Sequence, residues 1–207
     1  MEQGKENILS FHLAGIIPVA GQPLDFNFPW HDCLIPLAPD FLAVENAALE
    51  CATAGCETIW IIMHKDSQPL IRHRLGDWIE DPAYMGRKDR FPSEHRRQIP
   101  IFYVPIHPKD KDKRDCFGWS ALYGALSAYH ISKKISKWVI PDRFYISFPY
   151  GIFDLKAVRK ARKQISNKNN FYLSCGGKTI KDGYHMSFTF SGEDFKRFRD
   201  DLKREAT

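Results

Sequence analysis

The sequence predicts an α/β protein: a three-layer, mixed but mostly parallel sheet with helices on both faces, followed by a small C-terminal α+β part. Three observations carry this. Leu13-Ala14-Gly15-Ile16-Ile17-Pro18-Val19-Ala20-Gly21 and Thr58-Ile59-Trp60-Ile61-Ile62-Met63 are continuous apolar runs, the pattern of strands buried on both faces. Between them, Phe41–Ala54 reads as a helix stopped by Gly55, so the front of the chain is a βαβ unit. The alternation then continues through a strand at Ile99–Ile106, a helix at Phe117–Lys134 and a strand at Arg143–Phe148.

Each element has its local signal. Asp40 precedes the first helix as a candidate N-cap, and Leu42, Ala43, Ala47, Leu49 and Ala54 form its apolar side, leaving Glu45, Asn46 and Glu50 for the wetter face. A second helix starts near Ser67 and Pro69, with Ile71, Leu75, Trp78 and Ile79 on one face and Asp81-Pro82 as its end. Residues 82–98 have no core period and read as a polar loop or flap. In the long helix Trp119, Leu122, Tyr123, Leu126 and Tyr129 point inward, and Gly118 and Gly124 allow close backbone approach. Asp154 caps a helix with Leu155, Val158, Arg162 and Ile165 along one side. Phe171–Leu173 and Met186–Phe190 read as short strands around glycine turns. A last helix follows Ser191, with Ser191-x-x-Asp194 as its capping box and Phe195, Phe198 and Leu202 inward. The expected organisation is one domain over 1–207, with the α/β core at 13–165 and strands and a helix at 166–207.

Composition narrows the function classes. Hydrophobic content of 43% and aromatic content of 14% exclude a disordered chain. No stretch reaches the roughly 18 apolar residues of a membrane span. The N-terminus lacks a signal-peptide pattern, which predicts a cytosolic protein, of its own cell or of a host. Five cysteines without a C-x-x-C pair predict free thiols, neither a disulfide framework nor a zinc site. The net charge of +5 favours anionic partners such as nucleotides, phosphates or nucleic acid.

The order of elements resembles the GT-A-type nucleotidyltransferases and nucleotide-sugar glycosyltransferases. Three stretches carry the resemblance: Gly15–Gly21 as the first strand and nucleotide loop, Leu34-Ile35-Pro36-Leu37 through Ile62 as the next segment, and Gly118-Trp119-Ser120-Ala121-Leu122-Tyr123-Gly124-Ala125 with the strand Phe144–Phe148. The resemblance implies a GT-A fold and nucleotidyl or glycosyl transfer, with a divalent metal, Mg²⁺ or Mn²⁺, as cofactor. The sequence departs from the family's motifs. Its nucleotide loop reads G-x-G-[TS]-R, where this chain has Gly21-Gln22-Pro23-Leu24-Asp25. The family lysine that neutralises phosphate falls near Asp32, and the metal-holding aspartate falls near Pro149-Tyr150-Gly151.

In a doubly wound sheet the loops after the parallel strands share one rim. That rule gathers the site candidates. His31 and Asp32 form a base and orienter, or a structural loop pair, and Asp154 is the first carboxylate after the fourth strand. Ala20, Gly21, Gln22, Lys65, Lys109, Arg114 and Trp119 form the candidate nucleotide set; Gly21 leaves room for backbone N–H groups to approach a nucleotide, though a plain tight turn explains it as well. Asp110 and Asp112 form a D-x-D metal candidate, in a charge run that a solvated loop also explains. Lys156, Arg159, Lys160 and Lys163, together with Lys196, Arg197 and neighbouring cations, form a face for a phosphate backbone, or an ordinary exposed helix. The expected function is a GT-A-class transferase acting on a nucleotide or nucleotide-sugar. The alternative is a catalytically silent relative that binds, with nucleic acid as a possible partner. Neither reading calls for a membrane, and the oligomeric state is not readable from the sequence.

Overall fold

The computed structural model describes residues 12–21, 28–85, 97–110, 116–135 and 140–205. Its frame is a sheet of six strands. Four are parallel: β1 (Leu13–Pro18), β4 (Thr58–Met63), β6 (Gln98–Pro105) and β7 (Arg143–Ile146). β5 (Trp78–Glu80) and β8 (Phe188–Ser191) close the two edges in antiparallel pairing, giving the order β5-β6-β4-β1-β7-β8. A small hairpin, β2 (Pro36–Ala38) and β3 (Phe41–Leu42), stands apart. The chain steps outward from β1 to β4 to β6, then returns to lay β7 on the other side of β1. Strand order therefore reverses between β1 and β7.

Helices cover both faces. On one side α1 (Ala43–Ala54) and α5 (Leu155–Ile165) pack on Ile17, Ile59, Ile61 and Tyr145 through Val44, Ala47, Cys51, Val158 and Ile165. On the other, α4 (Phe117–Ile135) and α6 (Gly192–Glu205) pack on Ile16, Trp60, Ile62 and Phe144 through Ala121, Ala125, Ala128 and Phe195. The continuous apolar runs of β1 and β4 are buried on both faces for this reason. Two short helices, α2 (Gln68–Leu75) and α3 (Pro82–Met85), lie between β4 and β6. No helix among the described residues is long and apolar enough to cross a membrane.

Several local expectations shift. α1 starts at Ala43, because Phe41 and Leu42 are taken by the hairpin. Asp40 sits in its turn at φ 55° and is not the N-cap. Glu45 closes the helix start instead, its Oε2 accepting from Leu42 N at 2.6 Å. Glu50 and Asn46, expected on the wetter face, are buried. Trp78 and Ile79 are not helical: Gly76, at φ 70°, ends α2, and Trp78–Glu80 becomes an edge strand on β6. This leaves Trp78 47% exposed, where a core position was expected, while Trp60 is buried. Asp81-Pro82 opens α3 and closes nothing; Asp81 Oδ1 accepts from Ala83 N at 2.9 Å.

The inward face of α4 is made of small residues, Ser120, Ala121, Gly124, Ala125, Ala128 and Ser132, with Leu122, Tyr123 and Leu126 on its flanks. The helix lies so close to the sheet that a Cβ on Gly124 would come within 2.7 Å of Ile16 Cγ2. Gly118, by contrast, faces open space. In the C-terminal part only Phe188–Ser191 forms a full strand, and Tyr172 meets Phe188 in an isolated bridge. Ser191 and Asp194 cap α6 reciprocally as expected, but Phe198 is 40% exposed. Trp138, whose type favours a core position like that of Trp60, and Leu202 lie outside the residues whose side chains are described.

Candidate functional site

The parallel pairing brings the segments after β1, β4, β6 and β7 to one edge of the sheet, and the hydrogen-bond ladder runs into them. Ile106 N donates to Met63 O, and Ser147 N to Ile16 O, at 2.9 and 3.0 Å. Val19 N and Ala20 N both donate to Ile62 O, at 2.8 and 2.9 Å. The Ala20 N–H, a candidate phosphate donor, is thus spent on β4. Gly21 is required by packing. A Cβ there would fall 2.4 Å from Cε1 of Phe117 on the first turn of α4. The space expected to admit a nucleotide is filled by an aromatic ring.

Phe117 belongs to an aromatic group at the switch between β1 and β7. Its ring meets the edge of His185 at 5.1 Å, with Tyr150 at 5.6 Å and Phe148 at 5.9 Å. Gly151 presses on the carbonyl of His185, where a Cβ would lie 2.2 Å away. Burial lowers the pKa of His185, so its ring is neutral at pH 7.

Beside this group lies the turn at His31. A short 3-10 turn covers Asp32–Leu34, and His31 caps it, its Nδ1 accepting from Cys33 N at 3.2 Å. Burial lowers the His31 pKa; Asp32 and the Val19 backbone oppose the shift, and His64 adds to it. His31, Asp32 and His64 are therefore close enough to share a field. Asp32 is 3% exposed, and its Oδ2 has no hydrogen-bond partner among the described residues. The Tyr150 hydroxyl is buried in the same condition. Burial, then the charges of Cys33 and Asp32, push the Tyr150 phenol up, so it stays protonated and can donate. Burial pushes the Cys33 thiol up to about 12, which excludes it as a thiolate nucleophile. A buried polar atom without a partner calls for a reason; among the described residues there are seven, and Asp32 and Tyr150 are two that share a field at the rim. Phe28 and Trp30, 43% and 48% exposed, stack at 5.7 Å just ahead of His31.

The remaining candidates scatter. Lys65 and Lys109 are exposed on the rim. Lys109 N donates to His107 Nδ1 at 3.1 Å and Asp110 N to His107 O at 2.8 Å, forming a turn after β6. Gln22, Asp112 and Arg114 lie outside the described residues, as does Asp25. Trp119 is half-buried in the first turn of α4, its N–H on Cys116 Sγ. Asp154 Oδ1 accepts from Lys156 N at 2.9 Å, so this carboxylate is engaged as the N-cap of α5. Lys156, Arg159, Lys160 and Lys163 are exposed along α5 as expected. Lys196 and Arg197 do not extend that surface, because α6 lies on the opposite face of the sheet. No group of three or more His, Cys, Asp or Glu among the described residues is placed to hold a metal ion. The family's metal carboxylate position holds Pro149-Tyr150-Gly151. The described donors do not fit a divalent metal.

Phe117 and His185 were not legible as site residues. His185 sits in an irregular stretch without hydrophobic period, and only the return of β8 to β7 carries it to the rim.

The sheet order, the switch point and the helix layers define a GT-A-like, Rossmann-type α/β fold. Among solved structures, a protein from Bacillus anthracis described as a glucose-1-phosphate thymidylyltransferase, in complex with a sucrose, superposes with a TM-score of 0.56. The alignment covers 90% of this chain and 74% of that one at 13% identity, and it carries the fold assignment. The inositol-1-phosphate CTP transferase of T. maritima aligns over 90% of this chain and 73% of its own, at 11% identity and a TM-score of 0.48. The 4-diphosphocytidyl-2C-methyl-D-erythritol synthase of Anaerococcus prevotii aligns over 92% and 76%, at 11% identity and 0.45. No protein-family model matches the sequence, and no curated protein matches it.

Proposed function

We propose that the chain is a nucleotide- or nucleotide-sugar-dependent transferase whose ligand occupies the rim between β1 and β7. The supporting observation is the pair of buried atoms without partners, Asp32 Oδ2 and the Tyr150 hydroxyl, beside His31. Their chemistry is complementary: the carboxylate accepts from a sugar hydroxyl, and the phenol donates to a phosphate oxygen. His31, its Nδ1 accepting from Cys33 N, carries its proton on Nε2 when neutral and can donate it to a phosphate oxygen. Exposed Lys65 and Lys109 supply positive charge for a leaving phosphate. In nucleotidyl transfer the acceptor oxygen bonds to the α-phosphorus as the bond to the departing diphosphate breaks. The likeness to a protein described as a thymidylyltransferase supports this reaction class.

Thermal-shift measurements with nucleoside triphosphates and nucleotide-sugars, with and without Mn²⁺, test the reading, followed by assay of diphosphate release with sugar 1-phosphates. Stabilisation that is lost in Asp32→Asn and in Tyr150→Phe is expected. Absence of stabilisation by every nucleotide sinks the proposal. A second reading, binding without transfer, is favoured by Phe117 against Gly21 and by the engaged Ala20 N–H. Ligand binding with no product in any combination would select it.

A further inference from the structure

Helix α5 carries Lys156, Arg159, Lys160, Arg162 and Lys163 and no acid. Its five positive charges equal the formal net charge of the whole chain, +5. Val158 and Ile165 hold the helix on α1, and Lys156, Arg159, Lys160 and Lys163 stand in solvent. None of these four forms an ion pair among the described residues. The fifth, Arg162, faces Asp81 at 4.0 Å, and that carboxylate is 1% exposed.

Stability accounts for part of this arrangement, since Asp154 caps the helix start and Arg162 and Lys163 suit its last turn, but not for Lys156, Arg159 and Lys160. Cations are disfavoured at a helix N-terminus, where the macrodipole is positive. Two other helices begin on acids: α6 opens on Glu193 and Asp194, and α1 has Glu45 in its first turn. Helix α5 has an acid only at its N-cap, Asp154, and places Lys156 in its first turn. Lys and Arg within one turn of each other also repel along the helix. A second feature lies alongside. Lys156, Arg159 and Arg162 line a recess of about 160 Å³ with Thr53, Pro82, Ala83 and Leu155, a concavity edged by three cations.

We propose that this face of α5, with its recess, docks the phosphodiester backbone of nucleic acid. Lys156 to Lys163 spans about 10.5 Å of helix axis, about three phosphate-to-phosphate steps and so about four phosphates of one strand. Base stacking takes no part. Tyr172, the exposed aromatic that follows α5, has Phe188 stacked at 6.3 Å and the Lys181 ammonium over its ring at 4.6 Å. The contact is to the backbone, and it is independent of sequence. It also stands independently of the transferase reading, since the surface shares no residue with the rim cluster.

The test is fluorescence anisotropy of the full chain with two unrelated 20-base-pair DNA duplexes across a salt series. Four phosphate contacts give a slope of log affinity against log salt of about −3.6, or roughly a 150-fold weakening from 50 to 200 mM. Both duplexes should behave alike. Lys160→Gln should lower the slope by about 0.9. The quadruple variant Lys156→Gln, Arg159→Gln, Lys160→Gln, Lys163→Gln should lose binding while keeping its melting transition. Lys133→Gln with Lys134→Gln, exposed on the last turn of α4, should bind like the parent. Affinity flat with salt, a quadruple variant that binds like the parent, or binding to phosphatidylserine vesicles but not to DNA would each overturn the proposal.

Discussion

Glu50 Oε1 accepts a hydrogen bond from the Tyr145 hydroxyl at 2.6 Å, joining α1 to β7 in the centre of the protein. Ser147 donates to Oε2 at 2.7 Å, and Ser187 donates to Oε1. One carboxylate thus ties α1 to both sides of the rim, since Ser147 follows β7 and Ser187 precedes β8. Burial pushes its pKa up to about 7, against the pull of three hydroxyl donors. The folded value lies above the unfolded one, so the folded state holds the extra proton. The stability this contributes is fully present below about pH 4.5 and is lost as pH rises through about 7. Urea denaturation from pH 5 to 8 should show a loss of about 3 kcal/mol from this group. Glu50→Gln should flatten that dependence. An unchanged pH slope in the variant would show that the proton is bound elsewhere.

Gly21→Ala should destabilise the fold by about 1–3 kcal/mol, because its Cβ enters the Phe117 ring. Phe117→Leu should relieve part of this in the double variant. A double-mutant cycle in chemical denaturation checks the coupling; purely additive effects would mean the two positions do not touch.

Two glycines of α4 should respond with opposite sign. Gly124→Ala drives a methyl to within 2.7 Å of Ile16 and 2.9 Å of Ile62, and should lower stability by about 1–3 kcal/mol. Gly118→Ala meets nothing within 4 Å in a helical position, and should raise stability by about 0.4–1 kcal/mol. Paired thermal melts decide it.

Arg143 is the anchor of the segment after α5. Its buried guanidinium donates to Lys168 O, to Asn169 O at 2.9 Å, and to Asn170 Oδ1 and Thr189 Oγ1, both at 3.0 Å. Arg143→Lys keeps the charge but not the planar fork, and should still lose about 3 kcal/mol. Amide hydrogen exchange around residues 168–171 should speed up selectively. Uniform acceleration across the protein would point to a global effect.

The frame and the site differ in how far they were legible. Patterns local to one segment were enough to place the doubly buried strands β1 and β4, the extent of α4, the caps at Asp154 and Ser191 and the cationic side of α5. Each rests on propensity or periodicity that neighbouring residues carry among themselves. They also sufficed for the alternation of strands and helices, because a parallel strand needs a crossover and so announces the next element; the GT-A-like order came from the resemblance to a known family. Trp78 was misread because three residues of edge strand imitate the continuation of a helical face.

The rest was decided in three dimensions. Glu50 is charged and lies on a helix, and every local rule sends it to water. It is buried because α1 meets three hydroxyls from β7 and the approach to β8, which are 95 to 137 residues away in the chain. Gly21 is a tight turn by sequence, and only the docking of α4 shows that Phe117 occupies its open side. His185 reaches the rim through an antiparallel pairing that no motif marks. Burial patterns along the chain are enough to place the parallel strands β1, β4, β6 and β7 and the helices α1, α4, α5 and α6. The tertiary structure alone decided which polar atoms lost their water, because desolvation depends on what packs above a residue and not on what precedes it.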